Sequence, residues 1–198
     1  TLSCSSAASD VYKRQIIQNG SHFEGANNDL HAIVGAGTGL GIARGIISGN
    51  KVKVLASEGG HVEYSPKSNL EWELKIWLKN YLKIERISCE RIVSGSGLSR
   101  IAEWRLSKPD AQNHPLQKYL KEMKISDSAR KELPEKICKL SKEGDQLMIE
   151  VERIWLGTYA SLLGDVALQE LCFGGLWISG GTAPKHFKNF KSDLFMKQ

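Results

Sequence analysis

The 198-residue chain holds 41% hydrophobic and 25% charged residues, the balance of a folded globular protein, which excludes an intrinsically disordered one. Its formal net charge of +5 is mild, and no long basic run marks a nucleic-acid-binding arm. No apolar stretch approaches the roughly 18 residues of a membrane-spanning helix.

Residues 1–15 (TLSCSSAASDVYKRQ) are Ser-rich and aperiodic. They read as a non-native or disordered leader, which leaves 16–198 as the folded part. Residues 30–35 (LHAIVG) form a short apolar run ending in glycine, the pattern of a buried strand. Residues 39–47 and 51–56 flank Ser48-Gly49-Asn50, which predicts a hairpin. Ser68 and Glu71 make a capping box, and Leu70, Leu74, Trp77, Leu78 and Tyr81 recur at helical spacing towards Lys83. A cap at Ser88 introduces a short helix through Val93, and another helix follows Ser94-Gly95-Ser96-Gly97 to about Leu106. Residues 109–115 are a loop. Residues 126–140 are helical, with Pro134 limiting them. Residues 143–171 carry the longest helical pattern, and 174–179 (GGLWIS) are a strand. The order predicts an α/β fold. The terminal stretch 185–198 begins a helical pattern and stops without a cap.

The four cysteines, Cys4, Cys89, Cys138 and Cys172, are widely spaced without a C-x-x-C pair, so neither a zinc knuckle nor a redox motif is expected. Free thiols in a reducing compartment fit, and no secretory signal opens the chain, so a cytoplasmic location is expected.

Four stretches could carry chemistry. Gly35-Ala36-Gly37-Thr38-Gly39-Leu40-Gly41 alternates four glycines between two strands. It fits neither the P-loop nor the dinucleotide register, but such a turn exposes backbone N–H groups to an anion, with Thr38 adding a hydroxyl. A ligand-free glycine hairpin would look the same. Ser57-Glu58-Gly59-Gly60-His61 sets a carboxylate and an imidazole three apart. The two glycines argue against the helix that a Glu-x-x-His metal pair needs. A turn aiming both groups at a small polar ligand remains, beside a plain surface turn. Glu90, in the first turn of the short helix, reads by itself as a carboxylate answering the helix dipole. Gly180-Gly181 follow a strand and precede a helix, at the strand end where open α/β sheets bind ligands. An ordinary connecting turn fits there equally.

Together, GAGTGLG, SEGGHVEYSP, SCERIVSGSGL, a long helix and WISGGTAP resemble the bacterial-type glucokinases, ATP-dependent hexose kinases of the actin/hexokinase superfamily, from Ile33 to about Phe190. The resemblance implies a ribonuclease H-like lobe, a mixed β-sheet with flanking helices. It implies that Gly37, Thr38 and Gly39 lie beside the β- and γ-phosphates of ATP, that Glu58, His61 and Glu90 bind the sugar, and that Gly180 and Gly181 meet the adenosine. The implied reaction is phosphoryl transfer from MgATP to the 6-hydroxyl of glucose, the first step of glycolysis. ATP with Mg²⁺ and glucose are the implied ligands, with no nucleic acid or membrane, and homodimers are common in the family. The family's D-x-G-G-T loop and its Asn-Asp pair, whose Asp is the base, have no match here. Asn28-Asp29 directly precedes the first strand and is read as loop. The chain therefore reads as the larger C-terminal lobe cut at both ends, itself inactive, with no catalytic residue and no metal ligand of its own. The rivals are a sugar kinase of the ROK group, disfavoured because its Cys/His zinc cluster is missing, a non-catalytic sugar-binding regulator, and a nucleotide-sensing module.

Overall fold

The computed structural model describes residues 29–49, 51–123 and 127–197. The leader reading and residues 27–28 lie outside them. Among the described residues four strands form one sheet: β1 (Leu30–Ala36), β2 (Leu40–Ser48), β3 (Lys51–Ser57) and β4 (Gly175–Ser179), in the order β3-β2-β1-β4. The first three run as an antiparallel meander, with Ala36 opposite Leu40 and Ile42 opposite Ser57. β4 joins β1 in parallel, Gly35 opposite Ser179. A parallel partner needs a long crossover, and a helical layer supplies it: α1 (Asn69–Leu82), α2 (Gly95–Leu106), α3 (Leu116–Met123), α4 (Asp127–Lys142) and α5 (Gln146–Glu170). Two short helices, α6 (Ala183–His186) and α7 (Asp193–Met196), follow β4. The mixed sheet with flanking helices is the expected fold class.

Strand alternation decides which face is covered. Ala32, Val34 and Ala36 of β1 are fully buried towards the helices, and the Tyr159 hydroxyl of α5 donates to the Val34 carbonyl at 3.3 Å. The opposite face carries Ile33, Trp177, Val54 and Val52, all exposed. α5 is buried around much of its circumference, with Val151, Ile154, Trp155, Leu156, Tyr159, Leu162 and Val166 in the core, as expected of a central helix. Asp145 caps it by accepting from the Met148 N–H at 3.0 Å. Leu171 ends it at φ 46°.

Local departures from the sequence expectation have physical causes. The box at Ser68 is half formed: its hydroxyl accepts from Glu71 N–H at 3.2 Å, but the Glu71 carboxylate accepts from Lys67 N–H at 3.0 Å and from the Tyr64 hydroxyl at 2.7 Å instead. The helix expected from Ser88 to Val93 is a single 3-10 turn, Cys89–Arg91, without a side-chain cap. Ser94 is the true cap, its hydroxyl accepting from Gly97 N–H at 3.0 Å, so α2 starts inside the glycine-serine stretch. Residue 97 must be glycine because a Cβ there would stand 1.9 Å from the Ile92 carbonyl oxygen. Pro134 does not limit its helix, since α4 runs through it to Lys142. An interior proline costs about 3 kcal/mol, whereas Leu133 and Ile137 beside it are fully buried and each contributes about 1.5–3 kcal/mol.

Candidate functional site

β1 and β2 are joined by Gly37-Thr38-Gly39, a loop closed by Gly37 N–H donating to the Gly39 carbonyl at 2.8 Å. Thr38 stands exposed at its tip. The Gly37 carbonyl accepts from Gly95 N–H at 2.8 Å, so the first turn of α2 is fixed against the loop. A helix N-terminus carries positive partial charge. The loop and the positive end of α2 are thus held together on one side of the molecule.

Glu58 precedes and His61 ends a 3-10 turn, Gly59–His61, that follows β3. Ser57 Oγ accepts from Gly59 N–H at 3.1 Å. A Cβ at Gly60 would lie 2.3 Å from the Leu40 carbonyl oxygen, so this glycine lets the turn lie flat on β2. The chain beyond is tied to the segment before Glu90. Arg86 donates to the His61 carbonyl at 2.7 Å, Cys89 N–H donates to the Val62 carbonyl at 2.8 Å, and Glu63 bridges Ser88.

These ties bring Glu58, His61 and Glu90 together. His61 Nε2 is 3.5 Å from Glu58 Oε2, and its Nδ1 is 3.5 Å from Glu90 Oε2. Both separations exceed a well-formed hydrogen bond, so each group keeps capacity for a hydroxyl ligand. The side chains are 76%, 56% and 33% exposed for Glu58, His61 and Glu90. Glu90 does not act as a helix-dipole partner, because its helix is one turn. Its carboxylate faces Gly39 instead, where a Cβ would stand 3.4 Å from Oε1. The neighbouring Cys89 thiol is pushed up to about 11, chiefly by burial and then by the Asp165 charge, and it is no nucleophile near neutral pH.

The last element closes on the same loop. Thr182 donates to the Ala36 carbonyl through both N–H, at 3.2 Å, and Oγ1, at 2.8 Å. Gly180 has φ 88°, and a Cβ would stand 2.3 Å from the Ala36 oxygen, whereas at Gly181 a Cβ meets open space. A Cβ at Gly37 would be 3.9 Å from Gly181 N, so the two glycine turns adjoin at the carboxyl ends of parallel β1 and β4. All eight expected site residues therefore lie along one rim. The N-terminus of α2 at Ser94 and Gly95, and the strut Thr182, escaped the sequence reading. A serine before a helical pattern is a readable cap signal, but the contact with Gly37 has no local signature. Behind the Glu58–His61 turn lies a separate cavity of about 210 Å³ lined by Tyr64, Cys89, Thr158 and Asp165 among others. Glu58, His61 and Glu90 take no part in it.

The sequence profile of the family described as Glucokinase matches residues 3–198. A Synechocystis protein named glucokinase is 37% identical over 172 residues, covering 84% of this chain and 48% of its own length. The chain thus spans about half the length of the curated relatives it matches. Among solved structures, a glucokinase from an Antarctic psychrotroph superposes with a TM-score of 0.69 at 24% identity, covering 91% of this chain and 50% of that one. A ROK family glucokinase from Streptomyces griseus, in complex with glucose and AMPPNP, gives 0.54 at 22%, covering 87% and 50%. At these identities the two structures show the shared fold.

Proposed function

The chain belongs to the glucokinase family, and on that premise we propose that it supplies the sugar rim and most of the nucleotide rim of a hexose kinase, which transfers the γ-phosphoryl of MgATP to the 6-hydroxyl of glucose. The observation that carries this reading is the adjacency of Glu90 to both His61, at 3.5 Å, and the Gly39 backbone. A hydroxyl ligand held by the Glu58–His61–Glu90 group would sit against the loop assigned here to the phosphates. Carboxylates and an imidazole suit a ring of hydroxyls, each of which donates and accepts, and hydrogen bonds to charged groups contribute about 1.5–3 kcal/mol each. Gly37, Thr38 and Gly39 would cradle the β- and γ-phosphates, and the first turn of α2 would add to the favourable field for an anion. Gly180 and Gly181 would leave bare backbone beside the adenosine. The ATP-bound Mg²⁺ arrives with its substrate, held mainly by phosphate oxygens and water. No residue of this chain is assigned as general base.

Phosphoryl transfer depends on positioning and charge stabilisation, and a base contributes typically 10²–10⁴-fold. The 198-residue chain should therefore bind glucose yet release ADP no faster with glucose than a Glu58→Ala/His61→Ala control. Calorimetric titration should show His61→Ala weakening glucose binding about 10- to 100-fold, with ATP binding retained. Glucose binding untouched by either substitution would overturn the sugar assignment. ATP binding with no glucose binding at all would favour the nucleotide-sensing reading.

A further inference from the structure

Three side chains from three helices converge behind the nucleotide rim. Cys138 comes from α4, Glu152 from α5 and His186 from α6. Cys138 Sγ lies 3.7 Å from His186 Nε2, and Glu152 Oε1 lies 3.7 Å from His186 Nδ1. One donor atom from each residue falls within 4.8 Å of the others. Glu152 and His186 are buried, His186 only 3% exposed, while Cys138 is half-buried. Ser141 Oγ donates to the other Glu152 oxygen at 2.5 Å, which orients the carboxylate. The His186 ring is packed against Trp155 at 4.7 Å between centroids, so its edge is aimed by apolar contacts.

An independent observation points to a ligand. His186 Nδ1 is buried without a hydrogen-bond partner, the Glu152 carboxylate standing off at 3.7 Å, too far to bond it directly. Such groups are rare in folded proteins, because an unsatisfied buried polar atom costs about 1–3 kcal/mol. We propose that Cys138, Glu152 and His186 form a transition-metal site, with Zn²⁺ the preferred ion.

The donor set decides the metal class. A thiolate, an imidazole and a carboxylate suit zinc, whereas magnesium and calcium take oxygen donors. In a tetrahedral zinc site the donor atoms stand about 3.4–3.6 Å apart, from bond lengths of about 2.0–2.3 Å. An ion binds one ring nitrogen, and Nδ1, which faces Glu152 at 3.7 Å, is the open one. The Cys138 sulfur now lies on the Nε2 side, so it reaches the same ion by rotation of its side chain together with a small turn of the ring, the donor atoms starting within 4.8 Å of one another. On binding, the Cys138 thiol loses its proton to solvent, the S–Zn bond forms, and the thiolate and carboxylate together neutralise the ion. The fourth position is left to water, and half-buried Cys138 gives the way in. The sequence expectation of no metal ligand rested on cysteine spacing, and that test is blind to donors from three separate helices. The site would also act on the rim. α6 begins directly after Gly180-Gly181-Thr182, so the ion would pin that turn to the helical layer.

The test titrates the 198-residue chain with Zn²⁺ alone against a chromophoric chelator, and with Co²⁺ as an absorbing probe. The expected result is one ion per chain, a thiolate-to-cobalt charge-transfer band, and a rise in melting temperature with Zn²⁺. Cys138→Ser and His186→Gln should each weaken binding by about 100-fold or more, while Cys4→Ser, Cys89→Ser and Cys172→Ser should leave it unchanged. Since His186→Gln could unfold the chain, protection of Cys138 from alkylation by Zn²⁺ in the unmutated chain gives a second readout. Absence of binding, no protection of Cys138, or Cys138→Ser binding as tightly as the unmutated chain would each overturn the site.

Discussion

Gly180 and Gly181 are neighbours, yet glycine serves different ends at the two positions. At Gly180 the backbone is left-handed, with φ 88°, and a Cβ would press on the Ala36 oxygen at 2.3 Å. A left-handed non-glycine residue costs about 1–2 kcal/mol before any clash. Gly180→Ala should therefore lower unfolding stability by more than about 2 kcal/mol in urea titrations. At Gly181 a Cβ meets nothing, so Gly181→Ala should change stability by less than about 0.5 kcal/mol. If bare backbone there receives the adenosine, the same substitution should still weaken ATP binding several-fold. A stable Gly181→Ala chain with unaltered ATP affinity would remove Gly181 from the nucleotide rim. The same distinction separates Gly60, needed for close packing on Leu40, from Glu58 and His61 beside it, which point outward and are free to serve a ligand.

Among the elements, those with strong local patterns were legible in advance. β1 and the β2–β3 hairpin follow from β-prone runs around glycine turns, and α5 from a long apolar periodicity. α4 runs through Pro134 against the sequence expectation, because a local rule weighs the missing N–H but not the burial of Leu133 and Ile137. Replacing that proline should then relieve the chain: Pro134→Ala should raise stability by about 1–3 kcal/mol, read as a higher urea midpoint. A fall instead would mean the proline ring makes packing contacts worth more than the helix gains. The site was legible unevenly for the same reason. Glu58 and His61 are close in sequence, and their turn was readable from its glycines. Glu90 joins them only through the long-range bonds from Arg86 to His61 and from Cys89 to Val62. Spacing carries no trace of those bonds, so Glu90 was singled out by family resemblance, not by its own local pattern.

For the molecule as a whole, the asymmetry of the sheet matters most. Its inner face is buried at β1 and at Leu40 and Ile42 of β2, while its outer face presents Ile33, Trp177, Ile47, Val52 and Val54 to solvent. Strand register sets Ile33 beside Trp177 and Val54 across from Gly45, so the apolar side chains share one surface. Contiguous apolar surface of this kind favours association. The edge of the sheet offers a second route, since among the described residues β3 is an outer strand with an unpaired side. There, exposed Lys51 and Lys53 oppose strand-to-strand pairing, as lysines on edge strands commonly do. Among the described residues the outer face carries no lysine. The 198-residue chain should therefore self-associate through the face and not the edge. A Val52→Lys/Val54→Lys variant, which changes only outward-facing side chains, should remain monomeric in sedimentation where the unmutated chain associates. Its stability should shift by no more than about 1 kcal/mol, the span of strand propensities. Association that persists in this variant, but is lost when Lys53 is replaced by proline, would place the contact on the β3 edge instead.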